Sequence, residues 1–212
     1  MKKSTLNFGI IAILFVALLW SCASPVTLTS WKNQKENTKI SKVVVMAMFN
    51  KLEYIKPFEQ AAASYFNSKG LKCVESLDIL NPNVKYTAEQ IRNKVDSIGA
   101  DAVLVVKYKG TDKSETYIPP TYYGGFGGYW GGGYYGGYYG GVTATSGYWS
   151  TSSKVNLAAY LYTSAIKEGA AWTGELTITD PKYVDQAATQ IARNIYADWQ
   201  KDNLIKQQGS GK

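Results

Sequence analysis

The chain has 212 residues, a formal net charge of +7 and 45% apolar residues, enough for one domain of ordinary size with appendages. It contains no histidine, which excludes Ser-His-Asp and Cys-His nucleophile systems, histidine general bases and histidine-ligated zinc. Its two cysteines, Cys22 and Cys73, are too few for a disulfide framework or a cysteine-only metal site. No metal and no cofactor is expected.

Lys2 and Lys3 open the chain, and an apolar run follows from Phe8 to Trp20. That length suits the core of a signal peptide and is short for a bilayer span. Leu19-Trp20-Ser21-Cys22 then resembles a bacterial lipobox, with leucine three before the cysteine and a small residue directly before it. Trp20 departs from the usual small residue. The resemblance implies cleavage before Cys22, a diacylglyceryl thioether on its sulfur and an amide-linked fatty chain such as palmitate on its amine. Two such signals suffice for stable anchoring. Residues 1–21 are thus expected to be a signal peptide. Their removal takes away Lys2 and Lys3 and no acid, so +7 falls to +5. That excess fits ordinary solubility charge; attraction to anionic headgroups or cell-wall polymers is the other reading. Ala23 rather than an acid follows the cysteine, which resembles an outer-membrane destination, and the periplasmic face is expected.

Residues 22–41 are polar and read as a tether, with Trp31 conspicuous. Lys42 to Phe49, KVVVMAMF, is a continuous apolar run of the kind found in strands covered on both faces. Pro57 suits the first turn of a helix. Phe58, Ala61, Ala62, Tyr65 and Phe66 share one helical face, and Gly70 is placed to end it. Leu71 to Leu80 reads as a second strand, with Cys73 as a buried, inert thiol. Thr87 and Gln90 form a capping-box pattern. Ile91, Val95 and Ile98 stripe the helix that follows, Gly99 closes it, and ADAVLVVKYKG is a third strand. These three strands are expected to be parallel. KVNLAAYLYTSA and AAWTGELTIT read as an antiparallel hairpin. Asp180-Pro181 reads as the start of a closing helix, striped by Val184, Ala187, Ala188, Ile191, Ile195 and Trp199. Trp172 and Trp199 are expected in the core. The fold class is therefore α/β: a five-stranded mixed sheet with helices packed on it, in the order β-α-β-α-β-β-β-α. The domain spans 42–205, with an insertion at 116–153 and a loose tail at 206–212.

A lipobox followed by this order resembles small envelope lipoproteins related to the N-terminal domain of TolB and to the CsgG-like group. The residues that carry the likeness are GADAVLVVKY and LYTSAIKEGAAWTGE, with Trp172 and Gly174. The resemblance implies assembly factors, secretion-channel parts or partner-binding modules, and assigns no residue a role.

Gly124 to Gly141 holds eleven glycines and seven aromatics without a charge. Gly131 to Gly136 satisfies G-x-G-x-x-G, but that spacing is nearly inevitable in such a composition. No Lys or Arg lies between Lys113 and Lys154 to hold a phosphate, and a strand rather than a helix is expected to follow. A nucleotide site is not expected. Tyr and Trp offer contact area with few rotors to freeze, and Gly lets the backbone adapt. Tyr122, Tyr123, Phe126, Tyr129, Trp130, Tyr134, Tyr135, Tyr138 and Tyr139 are therefore candidate contacts for a protein partner or for self-association. Glycan or lipid contact, or plain low-complexity slack, are the alternatives. Nucleic acid is not expected, because the aromatics have no interleaved basic residue.

Without histidine, paired carboxylates are the remaining acid-base route. Asp78, Glu89, Asp96, Asp101 and Asp180 lie near element ends. Asp180 reads as a cap, Asp101 as a strand-entrance residue and Glu89 as a first-turn charge. Asp78 sits where α/β folds place ligands. The sequence thus points to a lipid-anchored, non-catalytic binding or envelope-assembly module. The alternative is a periplasmic hydrolase using carboxylates on envelope polymers.

Overall fold

The computed structural model describes residues 25–34, 37–118, 122–123, 143–144, 148–163 and 169–205. Among them are β1 (Val26–Lys32), β2 (Lys42–Met48), α1 (Leu52–Ser68), β3 (Lys72–Glu75), α2 (Ala88–Ser97), β4 (Ala102–Ile118), β5 (Tyr122–Tyr123), β6 (Thr143–Ala144), β7 (Tyr148–Thr163), β8 (Trp172–Thr179) and α3 (Val184–Lys201). One mixed sheet runs in the order β1-β8-β7-β4-β2-β3. β2 is parallel to both β3 and β4, with Val43 opposite Cys73 and Ala102. β7 and β8 form the antiparallel pair read from the sequence, with Leu157 opposite Leu176.

The expected count of five strands is corrected to six. The segment read as tether contributes β1, which pairs antiparallel with β8 from Val26 opposite Ile178 to Lys32 opposite Trp172. The reason is period-two alternation. Val26 and Leu28 pack against the main core, while Thr27, Thr29 and Trp31 are exposed, so one face of a polar-looking segment is apolar enough to extend the sheet.

Two apolar layers lie on opposite faces of the sheet. Val43, Val45, Leu104, Val106, Leu161 and Trp172 meet α1 and α3 on one face. A smaller layer, Val44 with Val95 and Ala100, lies under α2 on the other. The alternation within β2 divides its valines between the layers, which is why the strand reads as one unbroken apolar run. In the larger layer the Phe66 and Trp199 rings stack at 5.7 Å, and Trp172 meets Trp199 edge-on at 5.8 Å.

Several local readings hold and others shift. Thr87 and Gln90 make the full capping box. Gly70 and Gly99 take left-handed φ values of 76° and 64° after α1 and α2, as helix-ending glycines do. α1 begins at Leu52, a turn earlier than expected, so Pro57 lies inside it. β3 is only four residues long, and Ser76–Asp78 turns into a short 3-10 helix. Asp180 is not a helix cap: it sits at φ 48°, and α3 starts at Val184 with Tyr183 before it and no side-chain cap.

The chain divides into two units, 1–112 with 154–212, and 113–153. The second contains β5 and β6, paired antiparallel with Tyr122 opposite Ala144 and Tyr123 opposite Thr143.

Candidate functional site

Cys22 lies outside the described residues, as do Phe126, Tyr129, Trp130, Tyr134, Tyr135, Tyr138 and Tyr139. Tyr122 and Tyr123 form β5. Both cavities described below are lined by residues of the larger unit.

The carboxylates separate by what they hold. One Asp101 oxygen accepts from Ser41 N at 2.7 Å, Ser41 Oγ at 2.6 Å and Lys42 N at 2.8 Å. It thereby clamps the start of β2 to the turn before β4, a structural use of a charged acceptor. Glu89 is exposed in the first turn of α2, and Asp96 is exposed near its end. Asp78 is exposed at the end of the 3-10 turn after β3. It is near Glu75, whose carboxyl is pushed up by burial first and by the Asp78 charge second. Asp78 and Glu75 therefore form a like-charged pair at the carboxyl end of β3.

Glu59 was missed in the sequence. It is fully buried on the inner face of α1 and accepts from Ala47 N at 2.8 Å, Ser76 Oγ at 2.7 Å and Leu77 N at 3.1 Å. Burial raises its pKa, and those hydrogen bonds oppose the shift. The carboxyl joins the end of β2 to the turn after β3. Its signal was positional: with Phe58, Ala62, Ala63 and Phe66 it completes the buried stripe of the helix. Cys73 is buried and its thiol is pushed up to about 12, chiefly by desolvation, so it is inert as a nucleophile at neutral pH.

Two cavities flank the sheet. The first, about 350 Å³, opens beyond the end of β2, between the N-terminal ends of α1 and α3. Phe49, Phe58, Leu157 and Ile178 form its base, and Tyr54, Tyr108 and Tyr183 line it as well. Phe49 and Phe58 meet edge-on at 5.0 Å. The second, about 470 Å³, lies on the other face between α2 and strands β2, β4 and β7, and adds Arg92, Asp96 and Lys107 to an apolar lining. Lys107 Nζ stands 5.9 Å from the centre of the Tyr160 ring. Among the described residues, no three Asp, Glu, His or Cys side chains group as a metal site would require, and no helix is long and apolar enough to cross a membrane.

The fold is thus a mixed α/β sheet with helices on both faces and an apolar hollow at the carboxyl end of its parallel strands. No family model and no curated protein matches the chain. Among solved structures it is weakly similar to the PelC dodecamer from Paraburkholderia phytofirmans: 12% identity, 86% of this chain, 100% of that chain, TM-score 0.46. It is also weakly similar to a minor lipoprotein from Acinetobacter baumannii (8%, 74% and 94%, TM-score 0.33). A PDZ domain protein from Parabacteroides distasonis matches at 9% identity over 86% of this chain and 38% of that one, TM-score 0.31. These likenesses name no family. The TolB and CsgG-like resemblance stays an expectation read from the sequence.

Proposed function

We propose that the protein is a membrane-anchored lipoprotein of the bacterial envelope, held through Cys22 and facing the periplasm from the outer membrane. There it acts as a non-catalytic binding or assembly module. The observation that carries this reading is the lipobox-like Leu19-Trp20-Ser21-Cys22 directly upstream of a folded sheet. Two buried or half-buried carboxylates, Glu59 and Asp101, are committed to the chain's own amides and hydroxyls, which favours structural over chemical use. The aromatic Gly/Tyr segment is the contact surface for an envelope partner or for a second copy. Whole-cell crosslinking followed by mass spectrometry tests this. The full chain captures one specific partner, and deletion of 122–141 loses it while leaving the melting temperature unchanged. An identical crosslink pattern with and without the segment contradicts the assignment.

The neighbouring Glu75 and Asp78 favour one second reading, a hydrolase acting on envelope polymers. It requires turnover of a cell-wall polymer that disappears in Asp78→Asn.

A further inference from the structure

The incorporation of β1 into the sheet has a geometric consequence for an anchored protein. A free tether from residue 23 to 41 would reach up to about 65 Å and leave the domain free to turn. β1 removes that freedom. The Pro25 carbonyl accepts from Thr179 N at 3.1 Å, and Val26 is already in register with Ile178. Pro25 is three steps along the chain from Cys22, a reach of at most about 11 Å. The bilayer surface that holds the acylated cysteine is therefore confined to the neighbourhood of the β1 start and the β8 end.

That end of the domain carries the first cavity. Ile178, Pro181, Lys182 and Tyr183, which line it, flank Thr179 along the chain. Tyr54, Tyr108 and Tyr183 line the same hollow with 45%, 45% and 63% of their surface exposed. Leu52, at the start of α1, is 51% exposed. Tyrosine, with an apolar ring and a polar tip, is the side chain that settles at the level of lipid headgroups. Neighbouring charges are mixed in sign, Lys51 pairing with Glu53 at 3.2 Å, so the aromatic rim rather than net charge makes the contact.

We propose that this tyrosine-rimmed apolar hollow rests on the bilayer that holds Cys22, with Tyr54, Tyr108 and Tyr183 at the headgroup level, so that the domain has one fixed orientation on its membrane. The inference rests on the lipoprotein reading above. The occupant is a phospholipid surface: the anchor is too short to present another one to this hollow.

The test uses the acylated protein, beginning at Cys22, in phospholipid vesicles. Tyr183→Cys and, separately, Lys182→Cys carry an environment-sensitive nitrobenzoxadiazole label. Lys69→Cys, at the end of α1, is the control. The remaining thiol, Cys73, is buried. Both Tyr183 and Lys182 are exposed, so labelling does not threaten the fold. The proposal expects a blue-shifted label at 183 and 182 that doxyl-labelled vesicle lipids quench several-fold more than the label at 69. Equal quenching at all three sites, or none, overturns it. A blue shift at 183 without quenching by vesicle lipids means that the protein's own acyl chain fills the hollow, and overturns it too. Failure of the protein to float with the vesicles overturns the anchor itself and this inference with it. Flotation without site-selective quenching overturns the orientation alone.

Discussion

Gly174 is the tightest glycine in the sheet, and its replacement by alanine has opposing effects whose balance the structure decides. A methyl group there would sit 2.4 Å and 2.9 Å from two carbons of the Trp172 ring and 2.8 Å from Leu28 Cδ1. Such contacts require a neighbour to move. Trp172 is fully buried, its Nε1 donates to Asp198 Oδ2 at 2.9 Å, and its ring rests edge-on against Trp199. It has no room to give. Alanine in a strand gains about 0.5–1 kcal/mol over glycine, whereas forcing an extra carbon into a closed core costs about 1–3 kcal/mol. The structure places this case at the upper end, so Gly174→Ala is expected to lose about 2 kcal/mol net. For a chain of this size that lowers the melting temperature by about 4–8 °C. Thermal and urea unfolding of the protein in detergent micelles, followed by tryptophan fluorescence, measure it. In a Trp172→Leu background the two ring contacts are gone and only the one to Leu28 Cδ1 is left, so the same change costs less than in the native chain, a coupling above about 1 kcal/mol. A neutral or stabilising Gly174→Ala in the otherwise native chain refutes the packing described for β1, β8 and α3.

Glu59 makes the stability pH-dependent. Its folded-state pKa is raised above 4.5 by burial, so the folded protein holds the proton more tightly than the unfolded chain. Its contribution is full below pH 4.5 and is lost as pH rises through the folded value; Glu59→Gln flattens that fall in urea titrations across the window. Glu59→Ala strands two backbone amides and the Ser76 hydroxyl, and costs about 2–4 kcal/mol in the same assay. Cys73, with its thiol pushed up to about 12, resists maleimide at pH 8 in the folded protein and reacts promptly in denaturant. Thr87→Ala opens the capping box and costs about 1 kcal/mol, read by urea unfolding.

The parallel core was legible because its signals are local. β2 is a continuous apolar run, and the Thr87–Gln90 box and the two helix-ending glycines sit where backbone chemistry demands them. The stripe of α3 was legible for the same reason, and Trp199 lies fully buried at its end. β1 was missed although Val26, Thr27, Leu28 and Thr29 alternate, because a strand that gains its stability from a partner far along the chain, Lys32 opposite Trp172 and Val26 opposite Ile178, looks, by composition, like a tether. Asp180 looked like a cap because Asp-Pro usually starts a helix, yet the chain spends Pro181 to Tyr183 lining the hollow before α3 begins. Glu59 was invisible because a charged residue inside an apolar stripe is read as an interruption, and only the folded chain shows the amides that it satisfies. The hollow itself joins Phe49, just past β2, with side chains from α1, β4, β7, β8, the turn before α3 and α3, and no local pattern announces such a convergence.

The central claim is that a lipid on Cys22 fixes this domain to a bilayer. Intact-mass and N-terminal peptide mass spectrometry of the protein purified from a bacterial envelope tests it most directly. The account predicts a chain that starts at Cys22 and carries the mass of a diacylglyceryl group plus one amide-linked fatty acid. A chain that begins at Met1, or one whose Cys22 has a free thiol, contradicts it.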